Sequence, residues 1–175
     1  MNTIYCRTAE SIEELQIILA IERSMGKKIV FTTGVFDLLH YGHGKYLLEV
    51  KKYGDFLVVG IDSDELVKKN KGEDRPINKE TRRAFLISLF SCVDISIIFD
   101  DYFQLLRAIL PDTAIFSQSN PFNTRENRTK EVALVENYGG KIIFIPKIAK
   151  DETSTGIQNR IIHLHEKRKE CPRKR

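Results

Sequence analysis

The densest chemistry in the chain lies between Gly34 and His43, which reads GVFDLLHYGH. His40 and His43 stand three residues apart where a helical pattern opens. A helix start presents free backbone N–H groups and a partial positive charge. Gly42 lets backbone come close to a ligand, and two imidazoles can donate hydrogen bonds to a developing anion. Lys45 adds a fixed charge in the first helical turn. Together these features suit a phosphate. Taken alone, the pair also reads as surface histidines or as part of a zinc site, although no Cys or third His lies nearby in sequence. The run Gly42-His-Gly44-Lys45 echoes a P-loop but lacks its first Gly, and Tyr46 stands where Ser or Thr is needed.

These groups need a scaffold, and the apolar pattern supplies one. Ser11 and Glu14 fit a capping box, and Ile12, Leu15, Ile18, Leu19 and Ile21 predict a helix to about Ser24. Short apolar runs at Lys28–Thr33, Phe56–Ile61, Ile95–Phe99, Thr113–Phe116 and Ile142–Ile145 read as buried strands. Helical spacing recurs at His43–Tyr53, Asp64–Lys69, Lys79–Phe90, Tyr102–Leu110 and Arg125–Tyr138, and a last helix starts near Ser154. Asn70–Asn78 is a polar loop holding Gly and Pro. Strands that are apolar throughout and alternate with helices mean a parallel sheet covered on both faces. The expected fold is therefore a single doubly wound, Rossmann-like α/β domain with a mainly parallel sheet of about five strands. Ligands in such sheets sit beyond the carboxyl ends of the strands, at the switch point of strand order. That rule points to the turns after Thr33, Ile61, Phe116 and Ile145.

The chain has 175 residues, 42% of them hydrophobic and 30% charged, which fits one folded domain and excludes wholesale disorder. The last ten residues, Glu166–Arg175, carry six Lys or Arg against two Glu, so they hold the whole net charge of +4. The body is balanced, which argues against a nucleic-acid surface. The basic tail reads as a solvated terminus or as a contact for an acidic surface. Residues 1–27 read as a helical extension, 28–165 as the domain and 166–175 as the tail. Cys6, Cys92 and Cys171 are too scattered for a disulfide framework and read as inert. No signal-peptide core opens the chain, and no apolar run nears the ~20 residues of a membrane span. A cytoplasmic protein without membrane insertion is expected.

The ten-residue string resembles the GxFDxxHxGH signature of the cytidylyltransferase-like branch of the nucleotidyltransferase superfamily. Lys71-Gly72-Glu-Asp-Arg75-Pro76-Ile77-Asn78, followed by Arg83, resembles that branch's KGxxRPVN loop and helix. Thr153-Ser154-Thr155 resembles its STT motif, which opens the last helix. The loop is most similar to heptose 1-phosphate adenylyltransferases. Two departures stand out. Those enzymes usually have Lys-Gly-Gly-Asp-Tyr where this chain has Phe116-Ser117-Gln118-Ser119-Asn120. Glycerol-3-phosphate cytidylyltransferases, the second resemblance, usually carry Arg-Thr-x-Gly before the STT motif, whereas this chain reads Pro146–Glu152 without the Arg or Gly.

The resemblance implies transfer of a nucleotidyl group from an NTP, ATP before CTP, to a phosphorylated small molecule. Mg²⁺ would arrive on the NTP phosphates, with no metal cluster in the protein itself. Catalysis would fall to His40, His43, Lys45 and Arg83. The nucleotide would meet Thr33, Gly34, Phe36, Gly42, Thr153, Ser154 and Thr155, and the acceptor Asp37, Asp64 and Lys71. Plainer roles stay open for several of these. Asp37 suits a turn cap, Asp64 and Ser154 suit N-caps, and Arg83 suits an exposed pairing with Glu80. Lys71 suits a solvated loop, and Phe36 suits the core. A nucleotide-binding protein without catalysis is the contrasting function. Relatives of this kind are commonly homo-oligomers, a dimer first.

Overall fold

Among the described residues the apolar runs form six strands, all parallel, in the order β1-β4-β3-β2-β5-β6. The computed structural model describes residues 7–120, 122–149 and 153–170. The strands are β1 (Thr8–Ala9), β2 (Ile29–Gly34), β3 (Phe56–Asp62), β4 (Ile95–Phe99), β5 (Thr113–Ser117) and β6 (Lys141–Ile145). The helices are α1 (Ile12–Ser24), α2 (Tyr41–Lys51), α3 (Asp64–Lys71), α4 (Glu80–Ser88), α5 (Tyr102–Ile109), α6 (Thr129–Asn137) and α7 (Ser154–Glu170). The chain leaves β2 for β3 and β4 on one side, then returns to β5 and β6 on the other. The switch point thus lies between β2 and β5.

Three differences from the sequence reading have local causes. The sheet has six strands rather than about five, because β1 is two residues long and carries no readable period. It hydrogen-bonds β4 at the edge through the Arg7 carbonyl and Ser96 N–H, 2.9 Å apart. Residues 8–24 are therefore built into the sheet and core, with Leu15 and Leu19 fully buried. Second, α2 starts at Tyr41, because His40 takes the capping position in extended conformation. Third, α6 starts at Thr129, because residues 122–128 are turns.

Strand side chains alternate between two cores. Phe31, Phe56, Val58, Ile97 and Ala114 pack with Leu15, Leu19, Leu105, Leu106 and Val135 from α1, α5 and α6. On the opposite face Val30, Leu57, Val59 and Ile115 pack with Leu47 and Val50 of α2 and Ala84 and Ile87 of α4. The lower strand ends are pinned by carboxylates. Asp112 accepts from Ile29 N–H at 2.8 Å, Asp55 from Lys28 N–H at 2.9 Å and Asp94 from Leu57 N–H at 2.6 Å.

Asp101 caps α5 by accepting from the N–H groups of Phe103 and Gln104 at 2.8 and 3.0 Å. Loss of such a cap costs typically about 1 kcal/mol. Asp101→Ala should therefore lower the melting temperature by about 2–4 °C. An unchanged melting temperature in calorimetry would remove the cap from the list of stabilising contacts.

Candidate active site

A cavity of about 490 Å³ opens over the switch point, within the range of small-molecule sites, roughly 300–1,000 Å³. Its floor is the carboxyl end of β2, Thr33 and Gly34, with Tyr46 behind it. The Tyr46 hydroxyl is buried and lies 2.7 Å from the Thr32 hydroxyl, which donates to Ile115 O at 2.9 Å. Burial pushes the Tyr46 hydroxyl well above its ordinary pKa, so it stays protonated.

The turn after β2 shapes one wall. Phe36 adopts a left-handed backbone, φ 49°, which is uncommon for an aromatic residue. That turn brings its ring edge onto His43, with centroids 5.2 Å apart. A Cβ at Gly34 would lie 2.9 Å from the Phe36 ring, so glycine makes room for it. His43 also stacks on His40 at 3.8 Å between centroids. His40 Nδ1 accepts from Gly42 N–H at 3.1 Å, which leaves the proton of the neutral ring on Nε2. A Cβ at Gly42 would meet the His40 ring at 3.0 Å and Ala149 at 3.1 Å. The glycine thus serves ring packing as well as backbone access.

His43 is mostly buried, and its Nδ1 has no hydrogen-bond partner. Burial, then the charges of His40 and Lys71, lower its pKa to about 4. It is therefore a neutral imidazole at pH 7, with one ring N–H able to donate a hydrogen bond. The lowered value has a stability sign. The unfolded chain binds this proton near pH 6.5 and the folded chain only near 4. The contribution is complete above about pH 6.5 and is lost as pH falls toward 4. Denaturant titrations at pH 7, 5.5 and 4.5 should show a steeper acid loss for the wild type than for His43→Asn. Equal slopes would place the acid sensitivity elsewhere.

The other wall is the start of α7. Thr153 Oγ accepts from Gly156 N–H at 2.9 Å, so Thr153, and not Ser154, is the capping residue. Ser154 Oγ instead donates to Leu38 O at 3.2 Å, fastening the helix start to the β2–α2 turn. Thr153, Ser154 and Thr155 all line the cavity, as do His40, His43, Gly42, Phe36, Asp37 and Lys71.

Three residues expected in the site stand outside the lining. Lys45 is exposed and places its ammonium 5.5 Å from the Tyr41 ring centroid. Asp64 is not the cap of α3. Ser63 is, accepting from Leu66 N–H at 3.1 Å. Asp64 exchanges bonds with Glu80: Asp64 N–H to Glu80 Oε2 at 2.6 Å, and Glu80 N–H to Asp64 Oδ1 at 2.9 Å. Arg83 is neither an exposed partner of Glu80 nor a cavity residue. It is 0% exposed and donates to Asn78 O, Val35 O, Asp62 O and Asp64 Oδ1 at 2.6–2.9 Å. Burial pushes Asp64 up, but the Arg83 bond and charge outweigh it and hold its carboxyl below the usual range.

Asp37 lines the cavity, yet its carboxylate is largely engaged. It accepts from Ile77 N–H and Asn78 N–H at 2.8–3.0 Å and from Arg75 Nη1 at 3.3 Å. It therefore clamps the α3–α4 loop to the β2–α2 turn. Arg75, Ser117, Ser119 and Lys147 line the cavity as well and were not among the expected site residues. Ser117 ends β5 and Lys147 follows the end of β6, where the switch-point rule pointed without choosing side chains. Cys92 is buried, and burial raises its thiol pKa. Lys150–Glu152, Cys6, and Cys171 with the tail from there on lie outside the described residues. Among the described residues no three His, Cys, Asp or Glu side chains cluster for a metal, and no helix is long and apolar enough to cross a membrane.

A cavity over the switch point of a parallel sheet, lined by the starts of two helices, defines a Rossmann-like α/β domain. The chain belongs to the cytidylyltransferase-like family, whose model matches residues 31–159. It is 36% identical over 156 residues to the bifunctional protein HldE of Syntrophotalea carbinolica, covering 88% of this chain and 31% of that one. It is 40% identical over 138 residues to HldE of a Nitratiruptor species, covering 75% and 29%. The chain thus spans about a third of the length of these curated relatives. Among solved structures, a lipopolysaccharide core biosynthesis protein from Thermoplasma volcanium superposes with a TM-score of 0.59 at 29% identity, covering 72% of this chain and all of that one. Pantoate-beta-alanine ligase from Francisella tularensis shares the fold, with a TM-score of 0.59 at 16% identity over 93% of this chain and 80% of that one.

Proposed function

We propose that the chain is a nucleotidyltransferase that moves an adenylyl group from ATP to a sugar 1-phosphate of the heptose type and releases pyrophosphate. The observation that carries this reading is the stacked His40–His43 pair facing the start of α7 across one cavity. Two helix starts and two imidazoles suit a polyphosphate. The choice of ATP and heptose rests on the Lys71–Asn78 loop and is supported by similarity to the HldE proteins.

An acceptor phosphate oxygen attacks the α-phosphorus in line. A new P–O bond forms there as the bond to the β-phosphate oxygen breaks, and its electron pair leaves on pyrophosphate. The acceptor is already ionised, so no protein nucleophile is needed, and catalysis reduces to positioning and charge stabilisation. His43 donates to the phosphoryl oxygens, with His40 stacked against it. The N–H groups and hydroxyls at Thr153–Thr155 hold the β- and γ-phosphates. Lys71 and Arg75 face the acceptor phosphate. Mg²⁺ enters as part of the nucleotide substrate, held by its phosphates.

By the same resemblance the chain assembles as a homodimer, which sedimentation at micromolar concentration checks; its scattered cysteines suit the cytoplasm as its setting. The deciding experiment crosses ATP, CTP, GTP and UTP with heptose 1-phosphate and glycerol 3-phosphate, read as pyrophosphate release. Release with ATP and heptose 1-phosphate is expected. Release with CTP and glycerol 3-phosphate would move the assignment to a cytidylyltransferase. No release from any pair would leave a nucleotide-binding protein.

A further inference from the structure

We infer that Gln158, acting through Arg75, is a positioning residue that couples the two substrate subsites, so that each substrate tightens binding of the other. The inference rests on the function proposed above and goes beyond it by naming the link. Arg75 stands on the loop after α3 and lines the cavity. Its guanidinium donates from Nη1 to Asp37 Oδ2 at 3.3 Å and from Nη2 to Gln158 Oε1 on α7. One planar group thus bridges the acceptor loop and the helix that opens at the triphosphate wall.

The two ends of this bridge differ in rigidity. Asp37 is 5% exposed and anchored by two backbone N–H groups. The Gln158 end belongs to a helix with little beneath it. Ile161, Ile162 and Leu164 are all about half exposed or more. Among the described residues, the other side-chain hydrogen bond from α7 to the rest of the domain is Ser154 to Leu38. The position of α7, and so of Thr153–Thr155, depends on few contacts.

Arginine carries five N–H donors in a fixed plane, and the bridge uses two. A phosphate entering beside Lys71 takes donors from the remaining three and holds the plane still. A fixed plane fixes Gln158 and with it the first turn of α7. The ordering cost of that turn is then met once, by whichever ligand arrives first. The coupling is reciprocal, as linkage requires.

Calorimetric titration of the whole chain with α,β-methylene-ATP, with and without heptose 1-phosphate, tests this. In the wild type the nucleotide should bind at least about 5-fold tighter when the acceptor is present, the lower end of typical allosteric coupling. Gln158→Ala should bring that factor to within about 2-fold of unity while each ligand alone keeps nearly its wild-type affinity. Gln158→Glu keeps an oxygen for Arg75 and should keep the coupling. A purely structural role for Gln158 would shift the melting temperature and leave the factor intact, which overturns the inference. So would a wild-type factor of one with both ligands bound, or loss of coupling in Gln158→Glu. Nucleotide binding without acceptor binding would overturn the acceptor assignment itself, and the coupling with it.

Discussion

His43→Ala lowers the rate of pyrophosphate release by roughly 10²–10³-fold at saturating substrates, the usual loss for one preorganised donor to a developing anion. The effect is this large because the donor is fixed before the substrate arrives. The His43 ring is held between the Phe36 edge and the His40 face. Burial, with the Lys71 charge nearby, keeps it neutral at working pH, with its pKa near 4. In the proposed reaction the imidazole would therefore meet the phosphoryl oxygens as an oriented dipole, with no proton needed from solvent. The fold should survive the change, since the substitution also removes a desolvated, unpartnered nitrogen. Stopped assays of kcat beside a thermal melt separate the two effects. A variant with wild-type kcat would end the proposed role. A variant that fails to fold would be replaced by His43→Asn, which keeps an N–H in the same wall and should recover part of the rate.

Arg83→Met removes about 3–5 kcal/mol of stability, the cost of breaking a buried charged network by deleting one partner. For a domain of this size that corresponds to a fall of roughly 6–20 °C in melting temperature. The guanidinium reaches the carbonyls of Val35, Asp62 and Asn78, which lie on three different segments, and the Asp64 carboxylate besides. Methionine fills the volume but leaves those acceptors buried without donors. Lysine should not restore them, because one ammonium cannot present the same planar fork to three segments. Scanning calorimetry of Arg83→Met and Arg83→Lys checks this. A shift below about 2 °C in both would show that water or neighbouring groups satisfy the carbonyls instead.

Arg83 also shows where sequence reading stops. Its place beside Ala84 and four residues before Ile87 put it on the buried face of α4, and that spacing was available. The residue type spoke the other way, since arginine is almost never fully buried unless paired. Its partners come from segments up to 48 residues away, which no local pattern brings together. Asp37 repeats the lesson. A turn residue was legible, but the N–H groups that occupy it belong to a loop 40 residues on. The larger outline was legible because it follows from period and composition. Buried strands carry unbroken apolar runs, helices carry caps, and the switch-point rule then names four turns. That rule located the walls supplied by Thr33, Ser117 and Lys147 but could not say which side chains turn inward. The Arg75 contribution was hidden for a similar reason, since a charged loop looks the same whether it faces solvent or a cavity.

The two-residue strand β1 has a consequence in time. Parallel neighbours cannot form from a hairpin, and β1 pairs with residues 88 positions later, Thr8 with Ser96. Until β4 has joined β3, the beginning of the chain has nowhere to dock. Until β1 docks, the outer side of β4 presents unpaired backbone groups along a run as apolar as Ile-Ser-Ile-Ile-Phe. Such an open border is a template for joining another chain. Docking of β1 therefore also covers the Ser96–Ile97 stretch of that border. A chain shortened by its first ten residues should lose solubility on refolding well before it loses its cavity.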